Sequence, residues 1–134
     1  MIATTELRLV LVTPETTLLD VPVQSLKFPL FDGQIGVLPG RAPLVGRLGS
    51  GLLEYRSNSE TGSYFISGGF TQIKGSVVTI LTDSAIATSR IDVSTAESEL
   101  EAAKRLPGTT DEERAAKEKA VQSARSKFNL GRRK

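Results

Sequence analysis

The sequence predicts an α+β protein, a β-sandwich or barrel followed by an antiparallel two-helix hairpin. Three observations carry this. Apolar residues alternate with period two before residue 91, the period turns helical from Asp92, and Pro107-Gly108 divides the helical part in two. At 134 residues one domain with a small added element is expected, with a β part over 1–90 and a helical part over 91–134.

The strands come first. Leu7, Leu9 and Leu11 alternate with Arg8, Val10 and Val12, and the two valines predict a first strand covered on both faces. Leu26, Phe28 and Leu30 alternate with Ser25, Lys27 and Pro29. Pro29 cannot donate to a ladder, so that strand is expected at an edge or bent. Tyr64 and Ile66 flank Phe65, and Val78 and Ile80 flank Thr79. Turns are marked by Thr13-Pro14-Glu15, Asp32-Gly33, Pro39-Gly40, Ser57-Asn58-Ser59, Gly68-Gly69 and Lys74-Gly75. Short strands at this spacing fit a sandwich or a barrel.

The helices follow. Asp92 is placed to cap the first, with Ser94 and Glu97 as an alternative capping box, and Val93, Ala96, Leu100 and Ala103 share one face. Thr110 and Glu113 have the spacing of a capping box for the second helix, with Asp111 and Glu112 at the positive end of its dipole. Ala116, Ala120, Ala124 and Phe128 form its inward stripe beside Val121, and Gly131 is read as its stop. A seam of alanines buries little apolar area at about 0.8 kcal/mol per CH₂. Two readings stay open for it: a stable hairpin, and one that re-docks on a partner.

Composition narrows the chemistry. The chain has no cysteine and no histidine, which excludes thiol nucleophiles, Ser-His triads, and thiolate or imidazole metal sites. Trp is absent and aromatics are few, which argues against a base-stacking surface. No apolar run reaches the ~20 residues of a membrane span, and Met1–Glu6 lacks the pattern of a signal peptide. A cytoplasmic protein without catalytic chemistry of its own is expected. Ser67-Gly68-Gly69-Phe70 looks like a nucleophile turn, but without histidine it is read as a close strand crossing. Asp83 after Val78–Thr82 is read as a turn former or a capping partner. Gly33-x-x-Gly36 and Gly49-x-Gly51 are too short for a phosphate loop.

Charge is uneven. Residues 1–90 carry seven basic and seven acidic side chains, and residues 91–134 ten and eight. No acid follows Glu118, while Lys119, Arg125, Lys127, Arg132, Arg133 and Lys134 do. A solvated helix face, nucleic acid and an acidic protein surface are the readings for this end. The segment Gly33-Gln-Ile-Gly-Val-Leu-Pro-Gly-Arg-Ala-Pro-Leu44 holds three glycines and two prolines among apolar residues, with Arg41 its sole charge. That composition suits a shaped docking surface better than a catalytic loop.

These pieces resemble a known family. Val12-Thr13-Pro14-Glu15, Asp32-Gly33-x-x-Gly36-Val37-Leu38-Pro39-Gly40-x-Ala42-Pro43-Leu44, Gly49-x-Gly51, Ser67-Gly68-Gly69-Phe70, Val78–Asp83 and Ile91-Asp92 stand in the order found in the epsilon subunit of bacterial and plastid F-type ATP synthases, the counterpart of the mitochondrial delta subunit. The resemblance implies a sandwich of about ten strands and a non-catalytic place in the central rotor stalk, coupling c-ring rotation to ATP synthesis. It implies partners: the gamma subunit and the c-ring at Asp32, Gly33, Gln34, Arg41, Ala42, Pro43 and Leu44, and an acidic segment of the beta subunits at Arg114, Lys117, Lys119, Arg125, Lys127 and Arg132, where the hairpin would inhibit ATP hydrolysis by the alpha/beta subunits. It implies a peripheral protein, not inserted, on the cytoplasmic face of a bacterial inner membrane or the stromal face of a thylakoid.

The sequence also departs from that family. Arg41 stands where histidine is usual, a charge that does not titrate near neutrality. Some members bind ATP through an Ile/Leu-Asp-x-x-Arg-Ala motif; here Thr95 replaces the arginine and Ile86 a preceding acid, so Asp92 is the only retained acid and no cofactor is expected. An ATP-sensing module and a free-standing β-sandwich interaction domain with a basic tail are the alternative readings.

Overall fold

The structure, a computed structural model, describes residues 6–58 and 60–132. Ser59, Arg133 and Lys134, singled out above, lie outside the described residues, as do residues 1–5. The described residues form two compact units, divided between Ala85 and Ile86.

The first unit holds two five-stranded sheets. The strands are β1 (Leu7–Val12), β2 (Thr17–Val23), β3 (Ser25–Leu30), β4 (Gly33–Val37), β5 (Leu44–Arg47), β6 (Ser50–Arg56), β7 (Thr61–Ser67), β8 (Phe70–Lys74), β9 (Val77–Leu81) and β10 (Ser84–Ala87). One sheet runs β2-β1-β9-β8-β5 and the other β10-β7-β6-β3-β4, so the architecture is a sandwich and not a closed barrel. Within the first sheet β1 pairs with β9 in parallel, with Leu9 opposite Val78, and its other pairs are antiparallel.

Period-two patterning explains the core. Leu7, Leu9, Leu11, Phe28, Leu53, Ile66, Ile73, Val78 and Ile80 point between the sheets and are buried. Val10 and Val12 are only half-buried, so the expectation of a first strand covered on both faces fails: their face is the outer one. Pro29 behaves as a bend. β3 is flanked by both β4 and β6, but its ladder with β6 stops at Lys27 opposite Glu54. Beyond it the Pro29 carbonyl accepts from Gly49 N at 3.1 Å, and Leu30 bridges Leu48.

Gly68-Gly69 is the crossing where the chain leaves one sheet for the other. Gly69 has φ 106°, and a Cβ there would lie 2.0 Å from the Leu81 carbonyl oxygen, so no other residue fits. The Ser67 hydroxyl pairs with that of Ser50 at 3.0 Å, and the buried Thr82 hydroxyl donates to the Gly68 carbonyl at 2.8 Å. These are contacts of a structural junction. Asp83 occupies the bend between β9 and β10.

The second unit takes in the last two residues of β10, then a 3-10 turn (Thr88–Arg90), α1 (Val93–Lys104) and α2 (Asp111–Arg132). Asp92 caps α1, accepting from Ser94 N at 3.0 Å. The capping box of α2 forms as expected: Thr110 N donates to Glu113 Oε1 at 3.1 Å, and Glu113 N to Thr110 Oγ1 at 3.0 Å. The seam joins Leu100, Ala103 and Ala124, with Ala120, Val121 and Phe128 packed around them. Two expectations are corrected. Ala116 is exposed because α2 is far longer than α1 and its first turns have no helix opposite. Gly131 is itself helical rather than past the helix end, and it is buried in the last described turn of α2.

Candidate interaction surface

The segment from Asp32 to Leu44 supplies one edge strand of one sheet and opens an edge strand of the other. Gly33 to Val37 form β4 at the edge of one sheet, residues 38–43 cross over, and Leu44 opens β5 at the edge of the other. The crossover is turned by Gly40 at φ 88°, with Arg41 N donating to the Leu38 carbonyl at 3.3 Å. At the other end of β5, Phe31 N donates to the Arg47 carbonyl at 2.9 Å, and the Arg47 guanidinium lies 4.8 Å over the Phe31 ring.

These contacts divide the expected site residues into two groups. Asp32, Gly33 and Gln34 sit at the β3–β4 turn, beside Phe31 and Arg47. Arg41, Ala42 and Pro43 sit in the crossover, at the opposite end of β4, a strand's length away at about 3.3 Å per residue. All six are exposed, Leu44 is half-buried, and Arg41 has no ion pair among the described residues.

Period counting missed a larger surface beside them. Cross-strand neighbours share a face, so the register lines up Arg47, Phe70, Leu81 and Val12 in one row, and Val45, Gln72, Thr79 and Val10 in the next. This is the outer face of the β2-β1-β9-β8-β5 sheet. Val45 is 75% exposed, Phe70 56% and Leu81 49%. Adjacent exposed apolar side chains on this outer face, bordered by Arg47 and Lys74, form a candidate contact surface. The signal was present as the apolar Val10 and Val12 on the second face of β1; only the strand order gathers Val45, Phe70 and Leu81 beside them.

The cations of the hairpin are placed unequally. Arg114, Arg125 and Arg132 fall on one stripe of α2 at helical spacing. Arg114 pairs with Asp111 one turn back, and Arg132 lies 5.5 Å over the Phe128 ring. Lys117 and Arg125 line a groove of about 620 Å³ along α2 with Val121, Gln122 and Asn129. Lys119 projects from a different face. Lys127 is already paired, its ammonium 3.2 and 3.1 Å from the two carboxylate oxygens of Glu99.

Asp92 is likewise engaged. One carboxylate oxygen accepts from Ser94 N and the other from the Thr95 hydroxyl at 3.1 Å. Glu113 is held below its ordinary range, chiefly by the Thr109 hydroxyl at 2.7 Å and then by Thr110. Burial, then Tyr64 and Glu60, raise Tyr55 above its usual value. Among the described residues no cluster of three or more carboxylates is placed to hold a metal, and no helix is long and apolar enough to cross a membrane.

Comparisons with known proteins agree with this architecture. Residues 6–88 match the family model described as the ATP synthase delta/epsilon chain, beta-sandwich domain. The ATP synthase epsilon chain of Rhodopirellula baltica is 40% identical over 126 residues, covering 94% of this chain and 98% of that one. The epsilon chain of Synechococcus elongatus is 34% identical over 115 residues, covering 85% and 84%. In a cryo-EM structure of the Euglena gracilis mitochondrial ATP synthase with its c-ring, one chain superposes with a TM-score of 0.81 at 26% identity, over 94% of this chain and 81% of that one. A chain of the Tetrahymena thermophila central stalk and c-ring has the same fold, with a TM-score of 0.79 at 13% identity, over 98% and 99% of the two chains.

Proposed function

The chain belongs to the ATP synthase delta/epsilon family, and we infer from that membership that it is a non-catalytic subunit of the central rotor stalk, coupling c-ring rotation to ATP synthesis. As a stalk subunit it is peripheral to the membrane, on the cytoplasmic face in a bacterium.

The observation that carries the reading is the exposed apolar outer face of the β2-β1-β9-β8-β5 sheet, continued at β5 by the Asp32–Leu44 segment. A rotor subunit has to be clamped to the shaft it turns with, and a sheet face with Val45, Phe70 and Leu81 uncovered suits a large apolar partner. The gamma subunit is that partner in this reading. The c-ring meets the polar turn of Asp32, Gly33 and Gln34, while Arg41, Ala42, Pro43 and Leu44 extend the contact at the far end of β4. Because the two groups are a strand apart, replacing Asp32 and replacing Arg41 should weaken separable contacts.

The hairpin carries a regulatory role, with its basic residues meeting an acidic segment of the beta subunits. Arg125 and Lys119, exposed and without an ion pair among the described residues, are available contacts; Arg114 and Lys127 are held by Asp111 and Glu99. The nucleotide-sensing alternative is disfavoured because Thr95 stands in place of the motif's arginine and Ile86 in place of its preceding acid, while Asp92 caps α1.

The test is co-purification with gamma under mild salt. The parent chain should be retained, and Val45→Asp should weaken retention by roughly tenfold or more, since a carboxylate would be desolvated in the contact. A parent chain that binds no gamma subunit sinks the assignment.

A further inference from the structure

An antiparallel hairpin is tethered by its loop at one end, so its closure depends on side-chain contacts at the other. Residues 105–110 join α1 to α2, and the open end brings the start of α1 against the last turns of α2. Two contacts meet there. Gly131 is seated so closely that a Cβ would lie 2.9 Å from Ile91 Cγ2 and 3.4 Å from Val93 Cγ2. One turn back, Lys127 spans to Glu99 and touches both carboxylate oxygens. The Lys127 side chain is only 21% exposed, so this pair is less screened than an ordinary surface pair. Between these contacts and the loop the seam buries one leucine and two alanines, with Ala120, Val121 and Phe128 half-buried beside them.

We propose that Glu99–Lys127, together with Gly131 seated on Ile91, is a clasp that holds the hairpin closed and keeps Lys127 from any acidic partner while it is shut. Glu99 occupies the place that an external carboxylate would take. Opening the hairpin frees Lys127 beside Arg125 and Arg132, so the tail becomes a stronger ligand for acidic surfaces as it opens. The second half of the proposal rests on the reading of the tail as a partner for an acidic segment; the clasp itself does not.

The absence of cysteine makes the test direct. In the full chain, Glu97→Cys and Asn129→Cys carry spin labels on exposed positions of the two helices, and pulsed dipolar spectroscopy reads the distance between them. The parent should show a dominant short distance. Glu99→Gln should raise the long-distance fraction roughly two- to fivefold, the range of a partly screened ion pair, and Glu99→Lys should raise it further. The exchange Glu99→Lys with Lys127→Glu should restore the short distance. Gly131→Leu should also open the hairpin, by clashing with Ile91. Glu101→Gln removes the same charge away from the clasp and should leave the distance unchanged. An unaltered distribution in Glu99→Lys overturns the clasp, as does equal opening by Glu101→Gln. Polyglutamate is the probe for the second half: Glu99→Gln should bind it more tightly than Glu101→Gln. An opened hairpin with no such gain overturns the acidic-partner reading and leaves the clasp standing.

Discussion

The sandwich and the hairpin hold themselves together by different means. Between its sheets the sandwich buries Phe28, Leu53, Ile66, Ile73 and Ile80 completely or nearly so. The hairpin buries Leu100 and alanines, half-buries Val121 and Phe128 beside them, and adds two helix caps and one bridging ion pair. At about 25 cal/mol per Å² of apolar area, the first unit draws its stability from volume and the second from local hydrogen bonds and charge. A platform that binds partners on its outer face, as proposed for the sandwich, would need the first kind. A segment that changes partners, as proposed for the hairpin, would need the second, because caps stabilise a helix without committing it to one neighbour.

Phe28→Ala should break the contrast most severely. The side chain is wholly buried, and its loss should cost about 3–5 kcal/mol by chemical denaturation. Leu100→Ala is the matching change in the hairpin. Its expected cost is about 2 kcal/mol, at the low end for leucine, because small neighbours can close over the space. If the two variants were equally destabilised, the division into a volume-held unit and a cap-held unit would be wrong. Thr110→Ala should remove about 1 kcal/mol from α2, read as lost helicity in far-UV circular dichroism with the β signal unchanged.

The smallest effect concerns pH. Glu113 is depressed in the folded chain by Thr109 and Thr110, so its contribution is present above the ordinary carboxylate range and is lost as pH falls through the folded value. Acid titration of the parent should therefore show a shallow loss of helicity. Glu113→Gln should start slightly less helical and lack that acid-linked step. A variant with the same acid profile as the parent would assign the step to another carboxylate.

The parts legible in the sequence are those with local causes. The Thr110-Glu113 capping box, the Asp92 cap, the glycine crossing at Gly68-Gly69 and the alternation of Leu7, Leu9 and Leu11 each depend on a few neighbouring residues. Misread features depend on what lies opposite. Ala116 has the right period for the seam, but nothing in its own sequence says that α1 is too short to reach it. Gly131 has the composition of a stop, but it is used for close approach to Ile91 from the far end of the hairpin. The apolar outer face suffers similarly, since Val45, Phe70, Leu81 and Val12 come from four strands whose order no periodicity encodes. The Asp32–Leu44 segment was conspicuous for its glycines and prolines, yet its separation into two ends follows only from how β4 and β5 lie.

The parallel pairing of β1 with β9 has a kinetic consequence. All the other described pairs of that sheet are antiparallel, and β1 must wait for a partner made almost at the end of the sandwich sequence. As the chain leaves the ribosome, β1 and β2 form a two-stranded ribbon with little independent stability. Closing the sheet then requires a loop spanning nearly the whole unit, which places folding among the slow, high-contact-order β proteins. The interval before β9 arrives is when Leu7, Leu9 and Leu11 are most open to misassociation, and when a chaperone would have most to shield.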